Sequence, residues 1–189
     1  MEASVVTSIL IAVFLVASAR ADLHLTPKVA EYEQDGAKFK HLVFTAGDKE
    51  VTYSPPRGWD YFGSAAQLTL RPPNKAQAEA TISRISHSEP GKFDEKSAKE
   101  NVAEAIALVP KSSENVTVIS QEKNPLLINR KETFLVILGY NLFGQAYNRS
   151  VLFLNRGKEE IRFQLVCHQA DFKELQKAFL GSQYTWKNL

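Results

Sequence analysis

Between positions 95 and 109, Ala98, Val102, Ile106 and Val109 recur at intervals of three and four residues, with charged residues on the opposite side. That spacing predicts an amphipathic helix, capped by Asp94 and ended by Pro110. A second helix is expected from Asp171, with Glu174 as capping-box partner, Phe172, Leu175 and Phe179 on one face, and Gly181 as its stop. Elsewhere the period is two. Leu68 and Leu70 alternate with Gln67, Thr69 and Arg71, the pattern of a half-buried strand over 66–71 that stops at Pro72-Pro73, with 78–86 as its expected neighbour. Runs 39–46 and 49–54 flank Gly47-Asp48 as strands around a turn, and 116–121 reads as another strand.

Runs 134–138 and 151–154 differ, because both sets of alternate residues are apolar. Strands of that kind are covered on both faces. Asn155-Arg156-Gly157-Lys158 is a hairpin turn into 159–167, which makes the pairing there antiparallel. A doubly covered sheet with two amphipathic helices to cover it leads to an α+β fold class, a three-layer α/β/α sandwich around a mainly antiparallel sheet. Residues 22–38 are polar and weakly periodic, so a flexible N-terminal segment is expected before a single domain over 39–189. No internal repeat or low-complexity stretch interrupts it.

The start of the chain adds a compartment. Ile9 to Ala17 is an apolar core, followed by Ser18-Ala19-Arg20-Ala21 with small residues where a signal peptidase needs them. A signal peptide over 1–21, cleaved after Ala21, is therefore expected, and the apolar run is short for a membrane span. Its head, Met1-Glu2-Ala3-Ser4, lacks the usual Lys or Arg, and an uncleaved anchor is the second reading. The protein is then exported, periplasmic or secreted. Cys167 is the sole cysteine of the 189 residues, so the domain relies on its core and not on disulfides. A net charge of +2 lacks the basic excess that nucleic acid requires, and excludes it as a partner class.

Tyr53-Ser54-Pro55-Pro56-Arg57-Gly58-Trp59 resembles the tyrosine-proline-glycine-tryptophan turn of the PsbP-like superfamily, which includes the photosystem subunit PsbP and bacterial envelope proteins of the DcrB type. The late hairpin at Arg156-Gly157, the helix from Asp171 and the segment 182–186 add to the resemblance, which spans about 39–186. It implies a binding or assembly-factor scaffold with no common catalytic site. No metal or partner residue of the family finds a matching motif here.

Several positions offer chemistry. Arg57, Trp59, Tyr61 and Phe62 gather residue types favoured at recognition surfaces, and Arg71 could join them. Trp59 has a second reading, a plug at one end of the sheet. Asp22-Leu23-His24, if freed by cleavage, would place His24 third, in the amino-terminal pattern whose nitrogen ligands suit Cu(II) or Ni(II). Cys167-His168 invites a nucleophile and base, but neighbouring residues of a strand point to opposite faces, and Cys167 falls with Ile161, Phe163 and Leu165 in the core. Asn115-Val116-Thr117 and Asn148-Arg149-Ser150 are sequons, of consequence only in a eukaryotic secretory pathway. The expected function is an exported, non-catalytic binding or assembly-factor module of the cell envelope, without cofactor, meeting an envelope or extracellular protein or a small ligand. The alternative is an exported enzyme, a hydrolase among the readings, with dispersed residues around Glu160, Arg162 and His168.

Overall fold

A computed structural model describes residues 22–87, 93–155 and 157–188, so the leader read over 1–21 lies outside the described residues. The chain runs β1 (Leu23–Gln34), β2 (Ala37–Ala46), β3 (Lys49–Tyr53), β4 (Asp60–Gly63), β5 (Gln67–Arg71), β6 (Glu79–Ser86), α1 (Glu95–Ala107), β7 (Glu114–Lys123), β8 (Thr133–Leu142), β9 (Gln145–Asn155), β10 (Glu159–His168), α2 (Gln169–Gln183) and β11 (Lys187–Asn188). Strands β1-β2-β3-β11 form one sheet and β4-β5-β6-β10-β9-β8-β7 a second, with every pairing antiparallel.

The large sheet has two distinct faces, because successive side chains of a strand alternate. On the inner face Leu135, Leu152, Leu154, Ile161, Phe163 and Leu165 pack against Leu42, Phe44, Val51 and Tyr53 of the small sheet and Phe172, Leu175 and Phe179 of α2. Trp186 joins these layers, its ring centroid 5.4 Å from Phe163, 5.6 Å from Phe44 and 5.9 Å from Tyr53. On the outer face Phe134, Val136, Leu138, Val151 and Phe153 pack against Ala98, Val102, Ala105 and Val109 from α1 and its C-terminal end. Both alternate sets of β8 and β9 are therefore buried at their centres.

The architecture corrects the expected α/β/α sandwich. The protein is mostly strand, in two antiparallel sheets, with only two helices among the described residues. Much of the inner face is covered by the four-stranded sheet, whose apolar residues take the place assigned to a helical layer. The flexible segment expected over 22–38 is corrected too. Residues 23–34 are β1, and Asp35-Gly36, both at positive φ, close its two-residue turn into β2. Leu23 and Leu25 anchor the strand in the core, while Val29 and Tyr32 lie in the exposed part of the hairpin.

Helix α1 has the predicted cap, with Ser97 N–H donating to the Asp94 carboxylate at 2.9 Å and the Ser97 hydroxyl accepting from Asp94 N–H at 2.9 Å. Helix α2 begins three residues earlier than expected, with His168 in place of Asp171 at its N-cap and no side-chain cap. Asp171 instead accepts from Lys75 at 2.6 Å, and Gly181 lies inside the helix. Among the described residues no helix is long and apolar enough to cross a membrane.

Candidate functional site

The outer face of the large sheet is divided along its width. One row of register partners reads Phe62, Thr69, Thr81, Gln164, Val151, Val136. The next reads Gln67, Ser83, Arg162, Phe153, Phe134. Each changes from polar to apolar between β10 and β9. Helix α1 packs on the apolar part, against β8. Thr81, Ser83 and Gln164 stay partly exposed on the polar part.

An ion cluster marks the seam. Arg162 donates from Nε to Glu160 Oε1 at 2.5 Å and from Nη2 to Glu104 of α1, with its guanidinium 5.3 Å from the centroid of the Phe153 ring. His87 Nε2 stands 3.5 Å from the other Glu160 oxygen. Arg162 and Glu160 are almost withdrawn from water, whereas Glu104 is 43% exposed and partly screened. The cluster thus fixes α1 at the boundary of the half it covers.

The far rim of the polar half is built on β4 and β5. Arg71 lies opposite Asp60, places its guanidinium 5.0 Å from the Phe62 ring centroid, and donates to Glu79 Oε2 from Nη2 at 3.0 Å and Nε at 3.2 Å. Phe62 itself is 51% exposed. Beside it the loop Pro72-Pro73-Asn74-Lys75 borders an open groove of about 930 Å³, and Lys75 is tied to Asp171, whose carboxylate holds the ammonium pKa above its usual value. At the opposite end of β10, Tyr147 Oη lies 3.0 Å from His168 Nε2 and donates to Gln77 Oε1 at 3.3 Å.

The structure separates the residues singled out from sequence. Tyr61 and Arg71 fall on neighbouring strands, but Tyr61 stands opposite Leu70 on the inner face whereas Arg71 shares the outer face with Phe62, and Arg57 is exposed in the preceding turn. Trp59 is buried, with its ring stacked on Phe179 at 6.2 Å and 9°, which is the plug arrangement. Phe62, on β4, is more exposed than Tyr61, and Thr81 and Gln164 are added only by strand register, while Thr69 of the same row is buried. His24 is exposed on β1, but Leu23 and His24 stand in register with Ala46 and Thr45, and Asp22 pairs with Arg84 at 2.8 Å. A metal held through those backbone amides would have to peel the start of β1 from β2. Among the described residues no group of three or more His, Cys, Asp or Glu is placed to hold a metal ion.

The dispersed enzyme residues are not brought together. Glu160 and Arg162 pair at one end of β10, and His168 lies six residues along the strand, about 20 Å away. Of the sequons, Asn115 is exposed on the edge strand β7, while Asn148 is buried on the central strand β9, where a glycan has no room. Cys167 is fully buried, and burial pushes its thiol up to about 12. Burial also raises the Tyr53 phenol, whose oxygen shares a 2.8 Å hydrogen bond with Ser182 Oγ. Both groups keep their protons longer folded than unfolded. Stability is therefore unaffected below about pH 9 and falls as pH rises, as the unfolded thiol and then the unfolded phenol ionise first. Denaturant midpoints are expected to decline between about pH 9 and 12, and less steeply in Cys167→Ala. A flat profile would contradict this burial.

No protein-family profile matches the chain, and no curated protein matches it. Among solved structures, it is similar to a Pseudomonas aeruginosa protein of unknown function at 13% identity and a TM-score of 0.47, over 83% of this chain and 94% of that one. A Bacteroides thetaiotaomicron protein is similar at 9% identity and a TM-score of 0.42, over 70% of this chain and 43% of that one.

Proposed function

We propose that the protein is an exported, non-catalytic binding or assembly-factor module of the cell envelope, and that its partner meets the polar half of the outer face, with Phe62 and Arg71 at the rim. The observation that carries this reading is the change of character along each cross-strand row. The fold covers the apolar half with α1 and leaves Thr81, Ser83 and Gln164 partly open at the middle of a sheet whose other face is packed. Such a surface offers hydrogen-bonding groups held rigid by strands, bordered by an exposed aromatic ring and an arginine of the kind that anchors interfaces. Arg149 contributes a further donor, already turned toward the open half by its 3.0 Å bond to Gln164 Oε1. The resemblance carried by the Tyr53 to Trp59 turn supports the same class of role, although the layering expected with it is absent.

A photoreactive phenylalanine analogue at position 62 tests this, with the same group at Val29 on the exposed hairpin as control. In envelope extract, position 62 is expected to give a discrete adduct that position 29 does not, and Arg71→Glu should abolish it. No adduct at 62, or an equal one at 29, would contradict the proposal.

A further inference from the structure

At one end of the inner face a row of register partners reads Cys167, Asn148, Gly139, Thr117. The glycine puts no side chain on that face, and Ile119 closes over its position. A Cβ there would stand 3.1 Å from Ile119 Cδ1 and 3.4 Å from Thr117 Oγ1, so the walls of the gap are close on the β7 side. Ile119 owes its position to a bulge, since Val118 and Ser120 pair with the consecutive residues Leu138 and Ile137 and leave it as the extra residue. The result is a cavity of about 250 Å³ between β7, the end of the β8–β9 hairpin and the first residue of α2. That is smaller than the about 300–1,000 Å³ of drug-sized sites, which limits an occupant to roughly one ring.

The polar groups of the walls are neutral. Asn115, Asn141, Asn148, Gln169 and Thr117 line the cavity beside Tyr140 and Tyr147, and no carboxylate, ammonium, guanidinium or imidazole does. Asn148 is only 8% exposed and presents its carboxamide in the wall of the cavity. A hydrogen bond made to a carboxamide so largely shielded from water is stronger than one made at the open surface. The uncapped start of α2 adds backbone N–H groups beside Gln169. A charged ligand would lose its water without finding a counter-charge. Carboxamides and a hydroxyl both donate and accept, which matches hydroxyl groups, and Ile119 supplies an apolar wall for C–H groups.

We propose that this pocket binds a neutral, hydroxyl-rich small molecule of monosaccharide size. The site lies on the face opposite the polar half-face and does not depend on the function proposed for that surface.

The test is a titration of the ¹⁵N-labelled protein with glucose, galactose, mannose and N-acetylglucosamine, with sodium acetate and methylammonium chloride as charged controls. At least one sugar is expected to shift the Asn148 side-chain signals saturably, with neither salt doing so. Gln169→Ala, at the exposed start of α2, should raise the midpoint about threefold, the loss of one ordinary hydrogen bond. Gly139→Leu, which fills the gap, should abolish the response. If Gly139→Leu does not give a folded spectrum, Gln169→Ala alone decides. No response to any of the four sugars, a response to either salt in their place, or an undiminished response in the folded variants overturns the proposal.

Discussion

Replacing Trp59 with alanine is expected to destabilise the protein by about 3–5 kcal/mol and to lower its melting temperature by roughly 10 °C. The indole is buried at the end of the inner core and stacked on Phe179, so its removal forfeits both apolar burial and a parallel ring contact. It follows the turn 54–58, in which Trp59 N–H donates to Pro56 carbonyl at 3.2 Å, so the backbone aims the ring inward. Thermal denaturation of the variant measures the effect. A melting temperature unchanged in Trp59→Ala, together with loss of the position-62 adduct, would place Trp59 in recognition instead.

Arg162→Met is expected to destabilise by about 3 kcal/mol, because it leaves Glu160 buried without its guanidinium partner. The loss should be visible in α1, whose Glu104 is the helix's link to that cluster. Arg162→Met with Glu160→Gln should recover part of the stability, since the second change removes the stranded charge. Chemical denaturation of the single and double variants gives the comparison. Equal stability of wild type and Arg162→Met would mean that the cluster does not hold the helix in place.

The runs 134–138 and 151–154 announce their double burial because no side chain in them is polar enough to face water. The helix from Asp94 is equally legible, since cap and apolar spacing agree. β1 is hidden for a physical reason. Its hairpin partner makes the strand, and beyond Leu25 its side chains gain little burial, so Lys28 to Gln34 carries no strict alternation. The one local signal is Asp35-Gly36, a pair suited to positive φ in a two-residue hairpin turn. Without that hairpin only the helices are available as cover for the inner face, which is why the spacing alone leads to an α/β/α sandwich.

The start of α2 shows a similar competition. Asp171 has the residue type of a cap, but its carboxylate is taken by Lys75, 96 positions away in sequence. The rim of the candidate surface is partly readable from Arg71, which sits beside a proline stop, and from Phe62, whose expected loop is the short strand β4. Its centre is not. Thr81 and Gln164 become neighbours only through the register of two strands, and no spacing along the chain encodes that pair.

The account rests on one asymmetry, an outer face covered on its apolar half and open on its polar half. Single cysteines at Thr81 and Gln164, compared with one at Val136 and with the native Cys167, test it through the rate of labelling by a small alkylating reagent at neutral pH. Thr81→Cys and Gln164→Cys are expected to react at least about a hundredfold faster than Val136→Cys or Cys167, an opening free energy of about 2.7 kcal/mol or more separating the two groups. Protection at 81 and 164 equal to that of Cys167 would show the polar half covered, and would remove the surface on which the proposed function stands.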